Sequence, residues 1–323
     1  MSLRHVLLGG AAAFALVLPA NASERLLIGS TSASSSHYGY FVAVAQLVNE
    51  RVAEVEASVV ETGATLDNLR RIQRRQVDLG LVTTNVAHHA LAGTNEFEGQ
   101  PVETQLLWVY TAAPQNVVVR RDAGITSMAE LAGQRLNPGI RGSATEQTSE
   151  AVFAALGIEP AHVRGSTTDV VDMIKDNRVI GYVKSGAGMR LDASTLDIAT
   201  FTPITVLSLT EEEQERLRSE MPDVSIVEIP ESSDDSMPAY TTWSFGVGVA
   251  ASPDLSEETA YQIVKTVMED ETAQANAMAE LRDADLAELT VTYGTIPLHP
   301  GAYRWFREQG IDVPDHLVPA SAN

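Results

Sequence analysis

Cysteine is absent from the 323-residue sequence, and this absence excludes several kinds of chemistry at once. Disulfide bonds, thiolate metal sites and cysteine nucleophiles all require the thiol group. A chain of this length is nevertheless long enough to fold through core packing alone, as one large or two medium domains. No calcium loop of the Asp-x-Asp-x-Asp-Gly type occurs either, so we predict that the protein holds no metal and no cofactor.

Basic residues are also scarce. The sequence has 22 lysines and arginines against 43 aspartates and glutamates, which gives a formal net charge of −21. A surface with this charge repels the phosphates of nucleic acids and of anionic lipids, so we do not expect nucleic acid as a partner. The overall charge says little about a small ligand, because the local charge in a cleft can oppose it.

Long apolar runs are missing everywhere except at the amino terminus. Val6–Leu18 follows the basic pair Arg4-His5 and precedes Ala20-Asn-Ala22, which has the A-x-A pattern of a cleavage site. The run is too short for a stable membrane anchor. We therefore expect residues 1–22 to be a signal peptide that is cleaved near Ala22, and we expect the mature protein in the periplasm.

Strands, polar loops and helices alternate at the start of the mature chain. Apolar strands near residues 26–29, 57–61 and 78–82 are each followed by a hydroxyl-rich loop and then by a helical pattern. This alternation predicts a parallel α/β sheet. The loops after parallel strands lie along one edge of such a sheet, where ligands bind. The hydroxyl-rich loops should therefore converge.

Two β-rich stretches predict connections between two α/β domains. The first contains Pro114-Gln115 as the crossover out of the first domain, and the second, Thr241–Ala250, is the return crossover. We therefore predict a discontinuous domain 1, residues 23–114 and 240–323, and a domain 2, residues 115–239.

The stretch from Arg135 to Glu150 predicts a short strand, a Gly/Pro loop and a helix that begins at Ser143. The unpaired N–H groups and the positive dipole end of a helix start favour an anion. Arg141 adds full positive charge and a bidentate carboxylate donor. Ser143 and Glu146 also have the spacing of an ordinary capping box, which is the alternative interpretation of this loop.

Several landmarks of the sequence occur in the same order as in a known family. They are Ile28-Gly29 with Tyr38, Val60-Glu-Thr-Gly63, Val77-Asp-Leu-Gly80, Gly142-Ser-Ala-Thr-Glu146 and Ile296-Pro-Leu-His-Pro-Gly301. In these motifs the chain resembles the TAXI class of solute-binding proteins of TRAP (tripartite ATP-independent periplasmic) transporters. The resemblance implies a periplasmic binding protein-like fold, in which two α/β domains are joined by crossover strands and close over a ligand cleft by a hinge motion. It also implies a small carboxylate ligand that is delivered to the membrane subunits.

Four positions depart from the usual pattern of that family. Arg141 stands where proline is usual and Lys184 where an apolar or aromatic residue is usual. Thr83 replaces a frequent glutamine, and Asn85 replaces a frequent aspartate. The changes add positive and remove negative charge, so a dicarboxylate or 2-oxo diacid is favoured. A glutamate-like or glutamine-like amino acid is the alternative.

The predicted ligand-binding site draws on both domains. Its residues are Ser36, Tyr38 and Thr83 from domain 1, and Arg141, Ser143, Thr145 and Lys184 from domain 2. In this hypothesis the helix start and Arg141 hold one carboxylate, Lys184 holds the second, and Tyr38 packs on the carbon chain. No catalytic pairing stands out, so we predict that the protein is not an enzyme, although the fold class alone does not decide this. A ligand-sensing partner of a membrane signalling receptor is the alternative to transport.

Overall fold

The computed structural model describes residues 24–322 except positions 32, 34, 187, 222 and 233–236, and of Ala193 it describes only the backbone. The predicted signal peptide, residues 1–22, therefore lies outside the described residues. Within the described part of the chain, no helix combines the length and the apolar composition that crossing a membrane requires.

The described residues form ten strands and eleven α-helices. The strands are β1 (Glu24–Gly29), β2 (Val55–Val60), β3 (Leu79–Thr83), β4 (Gln105–Arg120), β5 (Arg135–Asn137), β6 (Ala161–His162), β7 (Gly181–Ser185), β8 (Ile204–Val206), β9 (Ser225–Ile229) and β10 (Tyr240–Ala251). The helices are α1 (Ser36–Arg51), α2 (Thr65–Gln73), α3 (Thr84–Ala92), α4 (Ala144–Leu156), α5 (Thr167–Lys175), α6 (Ala193–Phe201), α7 (Glu211–Glu220), α8 (Glu257–Met268), α9 (Ala273–Ala277), α10 (Leu286–Tyr293) and α11 (Pro300–Glu308). The predicted strand–loop–helix alternation at the start of the mature chain is confirmed.

The sheet is mixed, with parallel strands at both ends and an antiparallel pair in the middle. Strands β2, β1 and β3 are parallel neighbours, and so are β7, β5 and β6. Between these groups, β10 pairs antiparallel with β3 and β4, and β4 continues into antiparallel pairs with β7 and β8. The parallel strands carry helices in their connections, as the right-handed α/β pattern requires.

The central pair β4 and β10 runs through both halves of the molecule. Up to Pro114, β4 pairs with β10, and from Gln115 onward it pairs with β7 and β8. The predicted crossover at Pro114-Gln115 therefore lies inside one continuous strand. Proline removes one donor from the ladder, but its carbonyl oxygen still accepts a hydrogen bond from the backbone N–H of Gly186 at 2.7 Å.

The buried apolar residues form separate cores on the two sides of these crossover strands. The largest core combines residues from positions 26–113 with residues from positions 245–317 and with Ala144, and two further cores lie within positions 117–243. Tyr240 and Trp243, on the return strand, pack with the second-half cores. This distribution supports the two-domain division that the sequence predicts, which we retain as a proposal.

Asn68 ties together the ends of two strands of the first domain. Its side chain on α2 is fully buried. The amide nitrogen Nδ2 donates to the carbonyl oxygens of Ser30 and Leu81, each at 2.8 Å, and Oδ1 accepts from the hydroxyl of Thr62 at 2.7 Å. Because Ser30 follows β1 and Leu81 lies in β3, these bonds fix the sheet edge from which the hydroxyl-rich loops start.

Replacing Asn68 by alanine should lower the free energy of unfolding by about 1–3 kcal/mol, because the buried carbonyl of Leu81 loses its side-chain donor, while that of Ser30 keeps the hydroxyl of Thr62 at 2.7 Å. Urea denaturation measures the change. Arg74→Ala, at an exposed position after the same helix, is the control and should stay within about 0.5 kcal/mol of the wild type. A similarly small effect for Asn68→Ala would contradict this role.

Candidate ligand-binding cleft

The predicted site residues lie at the carboxyl ends of parallel strands in both domains. In the first domain Ser36 begins α1 after β1, and Thr83 ends the neighbouring strand β3. In the second domain the loop with Arg141 follows β5, and Lys184 lies near the end of the neighbouring strand β7. Each domain thus gathers its predicted residues on the sheet edge that binds ligands in α/β folds.

The two edges contact each other in this structure. The side-chain amide of Asn85, on α3, donates a hydrogen bond to the hydroxyl of Thr148, on α4, at 2.8 Å. Ala144, at the start of α4, packs with the first-domain core. A β-carbon built at Gly188 would lie 3.5 Å from Cβ of Glu280 in the first domain. In the two-domain division that we propose, these contacts describe a closed arrangement.

A contact between a histidine and an aspartate joins the two halves of the chain. Nε2 of His89, on α3, lies 3.1 Å from Oδ2 of Asp223, and Nδ1 of the same ring lies 2.9 Å from the side-chain nitrogen of Asn95. Burial raises the pKa of Asp223, but the hydrogen bond and the charge of His89 outweigh burial, so that the net effect lowers this pKa. The carboxylate therefore stays ionised in the interface.

The loop before α4 is held by its own residues. Ser143 is the N-cap of α4, and its hydroxyl accepts from the backbone N–H of Glu146 at 3.1 Å. The Glu146 carboxylate accepts from the N–H of Gly142 at 2.6 Å and from Nε of Arg164 at 2.7 Å. Gly139 has φ +136°, and a β-carbon there would lie 2.5 Å from the Glu146 nitrogen. The capping interpretation of Ser143 thus describes its contacts, and carboxylate binding at this helix start stays a prediction.

The other second-domain residues of the predicted site differ in their surroundings. The Thr145 hydroxyl lies 2.8 Å from the Ser185 hydroxyl, and the amide of Gln115 donates to that same hydroxyl at 2.9 Å. This chain of bonds links α4 and β7 to the crossover strand β4. Arg141 is exposed and has no hydrogen bond or ion pair with any residue that the structure describes, so its guanidinium is free for an anion.

The positive charge of Lys184 is paired with the negative charge of Asp192. Its Nζ lies 3.7 Å from Oδ1 of Asp192, and its side chain is only 19% exposed. Asp192 is itself the N-cap of α6, where it accepts from the N–H of Ser194 at 2.9 Å. Because Asp192 offsets the charge of Lys184, the excess of positive charge is smaller than the sequence departures alone imply.

His37 is a cleft residue that the predicted site omits. Nδ1 of its ring lies 2.9 Å from the hydroxyl of Tyr110. Burial, followed by the positive charge of Lys184, lowers the pKa of His37 to about 4, while Asp192 acts in the opposite direction. The imidazole is therefore neutral near pH 7. His37, in the first half of the chain, lies close enough to Lys184 and Asp192, in the second half, for both charges to shift its pKa.

Four buried polar groups near the domain junction have an atom for which the described protein supplies no hydrogen-bond partner. They are Thr83 Oγ1, Asn85 Oδ1, Ser149 Oγ and Ser244 Oγ. Such groups cost about 1–3 kcal/mol each unless a solute or water satisfies them. The sequence carried one usable signal, since Thr145, Thr148 and Ser149 have the i, i+3, i+4 spacing that places side chains on one helix face.

A separate cavity of about 380 Å³ lies away from this region. Its lining includes Ala154, Gly157 and Ile158 at the carboxyl end of α4, whereas the cleft residues lie toward the amino end of that helix. No predicted site residue lines the cavity. Among the described residues, no group of three or more histidine, aspartate or glutamate side chains is placed to hold a metal ion.

Comparison with known proteins fixes the family. The sequence profile of the NMT1-like family matches residues 28–310. The chain belongs to the NMT1-like family.

Two solved structures resemble the fold of this NMT1-like chain. One is XAC2383 from Xanthomonas citri bound to ATP, with a TM-score of 0.51 and 14% identity over 88% of this chain and 94% of that chain. The other comes from work on glutathione import via GshT and the cystine ABC importer TcyBC of Streptococcus mutans, with a TM-score of 0.51 and 9% identity over 82% of this chain and 97% of that chain. At such identities the similarity concerns the fold alone, and the predicted periplasmic binding protein-like α/β fold is confirmed.

Replacing Lys184 by methionine should raise the pKa of His37 from about 4, because the change removes a charge that lowers it and leaves Asp192, which raises it. The pKa should remain below the ordinary 6.5, since burial is the largest cause of the shift. NMR titration of the imidazole signals measures this. Lys175→Met is the matched control, because Lys175 pairs with Asp197 at 2.8 Å. An unchanged His37 pKa in Lys184→Met would contradict the electrostatic effect of Lys184 on His37.

Proposed function

We propose that this chain is a periplasmic solute-binding protein that captures a small carboxylate by domain closure and delivers it to the membrane subunits of a transporter. One observation carries the proposal. Two opposed strand edges meet through the bond between Asn85 and Thr148, and the junction contains buried polar atoms that the described protein leaves unsatisfied. Export through a signal peptide at residues 1–22 is part of the same proposal.

The membrane partner that we propose is a TRAP transporter. The support is the resemblance of Gly142–Glu146 and Ile296–Gly301 to the TAXI class. In the structure the second motif stabilises the fold, because the buried His299 is the N-cap of α11 and its ring nitrogens lie 3.2 Å from the N–H of Gly301 and 3.1 Å from the carbonyl oxygen of Leu255. Permease genes beside this gene would support transport, and a histidine kinase gene there would support sensing.

A dicarboxylate or 2-oxo diacid is the solute class that we favour. Arg141 offers a guanidinium that the described protein leaves free, and Lys184 offers a second cation on the same sheet edge. Withdrawing carboxylates from water is costly unless each is paired and hydrogen-bonded. Two cations together with the hydroxyl groups on α4 meet that requirement for two carboxylates.

An amino acid is the second candidate, and one feature favours it. Asp192 beside Lys184 supplies a negative charge, and Oδ1 of Asn85 is a buried acceptor without a described partner. Either group suits an ammonium. A zwitterionic solute would then place its carboxylate at Lys184 or Arg141 and its ammonium at one of these acceptors.

A thermal-shift screen of the mature protein against amino acids and mono-, di- and tricarboxylates tests the proposal. A solute that binds only the folded state stabilises it by about 2.7 kcal/mol at a hundredfold excess over Kd. We expect the largest rise in melting temperature with dicarboxylates. A rise with glutamate or glutamine alone would keep solute binding and discard the diacid. No rise with any class, in protein that mass spectrometry shows to be free of bound solute, would overturn the proposal.

Arg141→Ala and Lys184→Ala should each weaken succinate or 2-oxoglutarate binding about tenfold or more, because a hydrogen bond to a charged group contributes about 1.5–3 kcal/mol. Calorimetric titration gives the affinities. Arg178→Ala removes another arginine of the second half, one that is paired at the surface with Asp176, and should leave binding unchanged. Full affinity in both cleft variants would refute the two-cation account.

A further inference from the structure

We propose that His37 contacts the bound solute directly and that an anionic solute binds together with one proton, which His37 takes up. The inference rests on the proposed function above and adds a first-domain residue and a pH response to it. It predicts that the protein captures dianions more tightly in mildly acidic surroundings than in neutral ones.

The position of His37 in the fold supports the proposal. The residue lies in the first turn of α1, at the sheet edge of the first domain, and Ser35 caps that helix by accepting from the His37 N–H at 3.2 Å. The residue is partly accessible to solvent, its ring lies edge-on to that of Tyr110 at 5.8 Å between centroids, and the charges of Lys184 and Asp192 act on its pKa. This position, at the sheet edge of the first half and near two charges of the second half, suits a contact with a solute held between the halves.

The orientation of the His37 ring leaves one of its two nitrogens for a solute. Nδ1 is engaged with the hydroxyl of Tyr110, 2.9 Å away on the crossover strand β4. Tyr110 is buried and stacks on Tyr40 at 4.1 Å between ring centroids, and burial raises the pKa of Tyr110 well above its usual value, so this phenol stays neutral. With Nδ1 occupied, Nε2 is the ring nitrogen that remains for a solute.

The charges around the His37 ring favour its neutral form until an anion binds. Lys184 lies at the end of β7, Asp192 caps α6, and these two charges offset each other at 3.7 Å. Protonated His37 would add an unbalanced charge to this enclosed place, and it would do so at the positive end of the α1 dipole. Burial and Lys184 therefore keep the ring neutral when no anion is present. A bound carboxylate favours the protonated ring, because it places a negative charge beside the imidazolium.

The sign of the pH effect follows from linkage. A bound anion raises the pKa of His37 above the value of about 4 that it has in this structure. Binding then takes up a proton wherever the pH lies between these two values, and affinity rises as the pH falls through the higher one. The rise is at most about tenfold per pH unit for one linked proton. A zwitterionic solute brings its own positive charge and should link fewer protons.

Calorimetric titration with succinate and 2-oxoglutarate, in two buffers of different ionisation heat at pH 6, counts the protons taken up. We expect the wild type to take up more protons per dianion than His37→Gln, with a difference that approaches one. We also expect the wild type to gain at least about tenfold more affinity than the variant between pH 7.5 and pH 5.5. Protonation of the probe itself affects both proteins equally, so the comparison removes it. His88→Gln, at an exposed histidine of the first half, should behave like the wild type.

NMR titration of the His37 ring in the wild-type protein needs no variant. A pKa that rises in saturating succinate supports the proposal, and a pKa that does not change overturns it, as does equal proton uptake by the wild type and His37→Gln. If succinate and 2-oxoglutarate bind without linked uptake, the proposed function survives and this inference fails. If no carboxylate of the thermal-shift screen binds, the proposed function fails and the inference fails with it.

Discussion

The pairing of two long strands determines the rest of this structure. β4 and β10 pair from Pro114 opposite Ser244 to Gln105 opposite Ala251, and both strands continue into the second half of the molecule. This continuous ribbon keeps the carboxyl edges of the two parallel strand groups opposite each other, and the hinge closure that we propose would take place at it. The position of the cleft is therefore a consequence of topology, whereas its chemistry comes from the loops and helix starts at those edges.

The cleft combines little net charge with many polar groups. Lys184 is offset by Asp192, and the Ser143 hydroxyl is used as a helix cap. Arg141 and His37 are therefore the groups that we expect an anionic solute to affect most, because Arg141 has no described partner for its positive charge and His37 is neutral near pH 7 in this structure. In the binding site that we propose, solutes would be distinguished by how well they balance these charges.

Much of the fold follows from local sequence patterns. The alternation of apolar strands, hydroxyl-rich loops and helices is a short-range signal, and the apolar length of Thr241–Ala250 marks a strand buried on both faces. The edge on which the site residues lie follows from parallel topology. The pairing of Lys184 with Asp192 and the closeness of His37 to both depend on loops that meet only in the folded chain. For that reason the local charges around the proposed site could not be predicted from the sequence, and the location of the site stays a prediction.

The account is tested most directly by measuring the distance between the domains with and without solute. Because the chain has no cysteine, Asp283→Cys and Thr200→Cys, at exposed positions in the two halves, would carry the only spin labels for a double electron–electron resonance experiment. The solute with the largest thermal shift should change a broad distance distribution into a narrow one that matches the closed structure. An identical distribution with and without saturating solute would contradict capture by domain closure.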